Sequence, residues 1–144
     1  MTGEAGPQLA RLLACGPVRC DDLERFPQES GVYAFEGGGR VLYVGKATKL
    51  QKAMEDQAWL SAEARIQTRR TMPWCTLARH LAARCLGRPV QWPRDRDAIL
   101  EALAKVRGFQ VRYVAVDRPA LDSLKTYASL RLRPEYPRKP EVSK

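Results

Sequence analysis

Apolar positions recur along this chain with two periods, and each change of period marks an element. Residues 7–15, Pro-Gln-Leu-Ala-Arg-Leu-Leu-Ala-Cys, carry Leu9, Leu12 and Leu13 on one stripe. Pro7 in the first turn and Gly16 past the end predict a short helix there. Asp21 to Phe26 reads as a further short turn, capped by Asp21 or Asp22 and closed by Pro27. The period then shortens. Residues 31–36 and 40–45 are rich in β-branched and aromatic side chains around Gly37-Gly38-Gly39, a hairpin signal whose existence is better specified than its register. Strand alternation allows the hydroxyls of Tyr33 and Tyr43 to share one face.

Helical spacing returns after the hairpin. Thr48 and Gln51 have the T-x-x-Q spacing of a capping box, with Leu50 and Met54 on one face and Lys49 and Lys52 exposed. Residues 57–73 lack a clear period and read as a basic loop ending in Arg69-Arg70. Trp74, Leu77, Ala78, Leu81 and Cys85 mark the apolar face of a helix stopping at Gly87, with His80 off that face. Residues 94–107 form another helix around Ile99, Leu100, Leu103 and Val106. Asp95 and Asp97 lie in its first turn and Lys105 and Arg107 in its last, which suits the helix dipole. Gln110–Val116 reads as a central strand. A closing helix over about 119–132 places Leu121, Leu124, Ala128 and Leu132 in the core, and the proline-rich basic sequence beyond cannot continue it.

The resulting order, α-β-β-α-α-α-β-α, predicts an α/β (α+β) domain: a small three-stranded mixed or antiparallel sheet flanked by helices. The expected organisation is a helical arm over 1–26, a main domain over 27–137 with a helical insertion at about 57–108, and a basic tail over 138–144. A chain of 144 residues suffices for one core. No apolar run approaches the roughly 18 residues of a membrane span, and the N-terminus lacks a basic-then-apolar leader pattern, so the expectation is a cytoplasmic protein without membrane partners.

Charge and cysteine content sharpen this picture. Lys and Arg total 25 against 16 Asp and Glu, a net charge of +9. Such an excess favours a polyanionic partner, because neutralised phosphates release counterions. Cys15, Cys20, Cys75 and Cys85 contain no CxxC, and the only histidine is His80. A five-residue spacing on a helix rotates each ligand by about 500°, so Cys75, His80 and Cys85 cannot converge on zinc. Free, mostly structural thiols are expected.

Gly31-Val32-Tyr33, followed ten residues later by Tyr43-Val44-Gly45-Lys46-Ala47, resembles the GIY-YIG nuclease family, which includes homing endonucleases and the incision subunit of bacterial nucleotide-excision repair. Pro27 before the first motif, the basic helix after the second, and Arg133-Pro134-Glu135-Tyr136 near the end extend the likeness over most of residues 27–137. It looks closest to a bacterial branch that carries the helical insertion. The resemblance implies phosphodiester hydrolysis in a cleft lined by Tyr33, Tyr43, Gly45 and Lys46. Either tyrosine would orient or deprotonate the attacking water, and Lys46 would lie beside the scissile phosphate. A divalent cation, Mg²⁺ or Mn²⁺, would act as Lewis acid, and a guanidinium would hold the equatorial oxygens.

Three positions depart from the family pattern. Ala53 stands where the catalytic arginine is expected, Lys125 where the metal-binding glutamate is expected, and Pro137 replaces the terminal asparagine. Removing one preorganised charge-stabilising donor costs about 10²–10³ in rate, and an ammonium in place of the metal carboxylate repels the cation outright. The expectation is therefore a degenerate domain without a cofactor, with weak or no nuclease activity. It would bind nucleic acid, DNA ahead of RNA, through Lys46, Lys49, Lys52, Arg69 and Arg70. The alternatives are an atypical endonuclease, with Asp122 holding a displaced metal and Lys52, Arg69 or Arg70 replacing the arginine, or a protein-interaction module. Strand tyrosines are also ordinary sheet residues, so the pair marks ancestry ahead of activity.

Overall fold

The structure, a computed structural model, describes residues 2–58 and 76–136. The basic stretch with Arg69 and Arg70, the residues Trp74 and Cys75, and the tail from Pro137 onward lie outside the described residues. The described elements are α1 (Thr2–Ala14), β1 (Val18–Arg19), β2 (Gly31–Gly37), β3 (Arg40–Ala47), α2 (Leu50–Ala58), α3 (Thr76–Leu86), α4 (Arg96–Gly108), β4 (Gln110–Ala115) and α5 (Leu121–Leu132). Short 3-10 turns at Leu23–Arg25 and Arg118–Ala120 complete them.

The sheet has four strands in the order β1-β4-β2-β3, and every pairing is antiparallel. This corrects the expected count of three. β1 is only two residues long and pairs Val18 with Val111 and Arg19 with Gln110, too short to show a period of its own. The hairpin turn is tighter than the three-glycine run suggested. Gly37 pairs with Arg40, leaving Gly38 (φ 61°) and Gly39 (φ 75°) as a two-residue turn with positive φ at both positions, a conformation that matches the twist of the flanking strands.

The two faces of the sheet bury different helices. Tyr33, Phe35, Tyr43 and Val111 face a larger core built with Leu50 and Met54 of α2, Leu77, Ala78 and Ala82 of α3, and Ile99, Leu103 and Val106 of α4. Val32, Ala34, Val44 and Val114 face Leu9 and Leu12 of α1 and Leu121, Leu124 and Ala128 of α5. The β2–β3 register shifts between Phe35 and Glu36, which pair with Tyr43 and Val41. That irregularity lets both Leu42 and Tyr43 join the larger core.

Several local expectations change. α1 begins before Pro7 rather than at it, so the proline sits inside the helix, forgoing a hydrogen bond. The C-terminal end of α1 is tied down from the sheet: the Arg112 guanidinium donates to the carbonyls of Leu13 and Cys15 while its Nε holds Glu36 at 2.8 Å. Asp21 pairs with Arg19 instead of capping, and Asp22 makes no side-chain cap. Gln51 does not serve a capping box; its Nε2 donates to the carbonyls of Leu23 (3.0 Å) and Phe26 (3.3 Å). The first amides of α2 instead reach the main chain, Leu50 N–H to Glu29 and Gln51 N–H to Pro27. In α3 the apolar face is rotated from the expected one: His80 is buried, Leu81 is only partly so, and Cys85 is exposed. Gly87 (φ 71°) ends α3 as expected, with Arg88 N–H closing onto the Ala83 carbonyl.

Candidate nucleic-acid interface

Both motif glycines are required by close approach. Tyr33 pairs with Gly45 across the hairpin, and a Cβ on Gly45 would lie 2.4 Å from both Cζ and Oη of Tyr33, so the tyrosine ring covers the space a side chain would take. A Cβ on Gly31 would meet the Val114 carbonyl at 2.4 Å and Leu50 Cδ1 at 2.6 Å. The Tyr–Gly pairing that dominates the sequence motif is thus first a packing device, which seats an aromatic ring flat on the adjacent strand.

The register puts Tyr33 and Tyr43 on the same face, with Phe35 paired opposite Tyr43 and edge-on to Tyr33 at 5.7 Å. Tyr33 is 3% exposed and Tyr43 6%, both within the larger core. Helices α2, α3 and α4 pack over that face, so the two tyrosines expected to line the cleft are buried in the larger core. Ala53, at the position expected to hold an arginine, is partly buried and packs against this core.

Lys46 alternates to the opposite side of β3 and is exposed. Its ammonium pairs with the Asp122 carboxylate in the first turn of α5. Lys125 follows three residues later on the same helix, within side-chain reach along one face. Asp122, Lys125, Thr126 and Ser129 of α5, with Val44 and Tyr136, line a cavity of about 300 Å³ beside the sheet edge. The side chains present do not fit a divalent cation. The one carboxylate here is held by an ammonium, a second ammonium follows one helical turn on, and no group of three or more potential ligand side chains occurs among the described residues. A hard divalent cation needs several oxygen ligands and negative charge, and this site supplies one neutralised carboxylate.

Lys49, just before α2, and Lys52, on its exposed side, lie elsewhere and line a second cavity of about 280 Å³ with Gln28, Gln51 and Glu55. Gln28 donates to the Gln51 side chain at 3.2 Å, and Lys52 sits 3.6 Å from Glu55. The structure therefore places the described candidate cations around two cavities, Lys46 beside one and Lys49 and Lys52 within the other.

A cluster not foreseen from the sequence closes the β3 edge. Glu135 N–H and Tyr136 N–H donate to the carbonyls of Val41 and Leu42, strapping the segment after α5 to the edge strand. The Tyr136 ring stacks on His80 at 5.3 Å, and its hydroxyl accepts from Arg84 at 3.0 Å. The Glu135 carboxylate bridges Arg84 and Arg40. The resemblance flagged Tyr136 only as part of an ending, and no periodicity could assign a histidine 56 residues away as its partner.

A scan against models of known protein families finds no match to this chain. A search of curated proteins likewise finds none. Among solved structures, the chain is similar to the GIY-YIG N-terminal endonuclease domain of UvrC from Thermotoga maritima bound to its catalytic magnesium, at 15% identity and a TM-score of 0.44, covering 81% of this chain and 97% of that one. A point mutant of the same domain, bound to its catalytic divalent cation, matches at 14% identity and a TM-score of 0.44 over 81% of this chain and 97% of that one.

Proposed function

We propose that this chain is a GIY-YIG-like domain that binds nucleic acid through side-chain cations and does not cleave it with a divalent metal. The observation that carries this reading is the Lys46–Asp122 ion pair, with Lys125 on the same helix where the resemblance expects the metal carboxylate. The motif hairpin keeps its packing while the groups that would activate a phosphodiester are replaced or buried. Ala53 packs against the core, Tyr33 and Tyr43 are buried, and Asp122, one turn before Lys125, is neutralised by Lys46. What the chain retains is positive charge: +9 overall, with Lys46, Lys49 and Lys52 at its described surface. Contacts of this kind position a phosphate backbone without reading its sequence.

A salt titration tests this reading. Affinity of the full chain for a DNA duplex should fall linearly in log–log form, by about 0.9 per phosphate neutralised. Lys49→Ala and Lys52→Ala should each weaken binding and flatten that slope. Absence of affinity at low salt would overturn the proposal and leave a protein-interaction role as the surviving expectation.

A further inference from the structure

The cavity between α5 and the β3 edge has a composition that simple backbone binding does not use. Its volume, about 300 Å³, is at the low end of small-ligand sites, which suits one nucleoside-sized unit. Part of its lining is apolar: Val44, Pro134, the buried Tyr136, and Leu130, which is 72% exposed. The rest offers the hydroxyls of Thr126 and Ser129, each able to donate or accept, together with the charges of α5. Lys46 and Lys125 outnumber Asp122 by one positive charge at this place. A flat group with hydrogen-bonding edges, joined to a single negative charge, complements all of these features.

Building on the nucleic-acid reading, we infer that this cavity seats one unstacked base of a single-stranded nucleic acid, with the adjoining phosphate at the Lys46–Lys125 side. The apolar wall takes the face of the base, Thr126 and Ser129 meet its edge, and the ammonium groups neutralise the phosphate. Hydroxyls satisfy several base edges equally, so the seat is tolerant of sequence. A paired, stacked base cannot enter, so the cavity discriminates single strand from duplex.

Fluorescence anisotropy with the full chain tests this, using a labelled single-stranded oligonucleotide, the same strand with abasic sites throughout, and a duplex of equal length. The intact strand should bind about tenfold tighter than the abasic one, as expected for one stacked base. Ser129→Trp, which fills the cavity, should remove that advantage and leave duplex affinity unchanged. If circular dichroism shows that Ser129→Trp does not fold, Leu130→Ala on the exposed wall should still reduce the advantage severalfold. Equal affinity for intact and abasic strands, or an advantage that survives a folded Ser129→Trp, overturns the base seat while the nucleic-acid reading stands. A nucleoside monophosphate binding as tightly as the strand would overturn it in favour of a free-nucleotide site. No affinity for any of the three probes overturns both readings.

Discussion

The Lys46 ammonium on the sheet's edge strand is paired with the Asp122 carboxylate at the start of the closing helix. A pair this exposed contributes at most about 1 kcal/mol to stability, because water and salt screen it. Its larger consequence is for charge: on the proposed reading, Asp122 occupies the ammonium that a nucleic-acid phosphate would take and would compete with it.

Asp122→Asn should therefore tighten DNA binding at low salt, by about three- to fivefold, and steepen the salt dependence by close to one phosphate contact. The gain should vanish in a Lys46→Ala background. A double-mutant cycle read by anisotropy checks it, since a gain independent of Lys46 would mean only a general change in net charge.

Gly45→Ala should destabilise the fold by about 1–3 kcal/mol, because its Cβ would lie 2.4 Å from the Tyr33 ring and the core must shift to admit it. Gly16→Ala, where a Cβ meets nothing within 4 Å, is the matched control and should cost far less. Urea unfolding midpoints of the two variants measure the difference.

The strap at the sheet edge separates into ring and hydroxyl contributions. Tyr136→Ala should cost about 3 kcal/mol, since the ring is 9% exposed and stacked on His80. Tyr136→Phe should cost about 1 kcal/mol, the net worth of the hydrogen bond from Arg84. Thermal or urea unfolding of both variants gives the comparison.

Asp95 supplies an acid-dependent contribution. Arg88 binds its carboxylate through two nitrogens at 2.7 Å and the Gln91 N–H donates at the same distance, lowering its pKa to about 2. Because the folded value lies below that of the unfolded chain, about 3.9, this stabilisation is complete above about pH 5 and is lost as pH falls through 2. Asp95→Asn should be less stable than the parent at neutral pH, and the gap should close over that interval when both are unfolded in urea at a series of pH values.

Much of the fold can be read from local pattern. The hairpin announces itself by alternation around glycine, the stripes Ile99–Leu103–Val106 and Leu121–Leu124–Ala128 are buried as their spacing requires, and Gly87 ends its helix. What escapes local reading depends on distant partners. β1 is defined by pairing with a strand over ninety residues later. Gln51 has capping-box spacing but is drawn to carbonyls of the preceding turn, and His80 is buried because Tyr136 arrives to stack on it. The candidate site divides in the same way. Substitution at Ala53 and Lys125 could be read directly, whereas the pairing of Lys46 with Asp122 spans 76 residues, and the burial of the tyrosines follows from helices packed over that face.

The central claim is that side-chain cations, not a bound divalent ion, meet the phosphate. The most direct measurement is to compare, on one labelled DNA, the binding isotherm and the strand products of the full chain in excess EDTA, Mg²⁺ and Mn²⁺ at constant ionic strength. The account predicts coincident isotherms and intact strands in all three conditions. Cleavage or tighter binding that arises only with the metal, and is lost in Asp122→Asn, would contradict it.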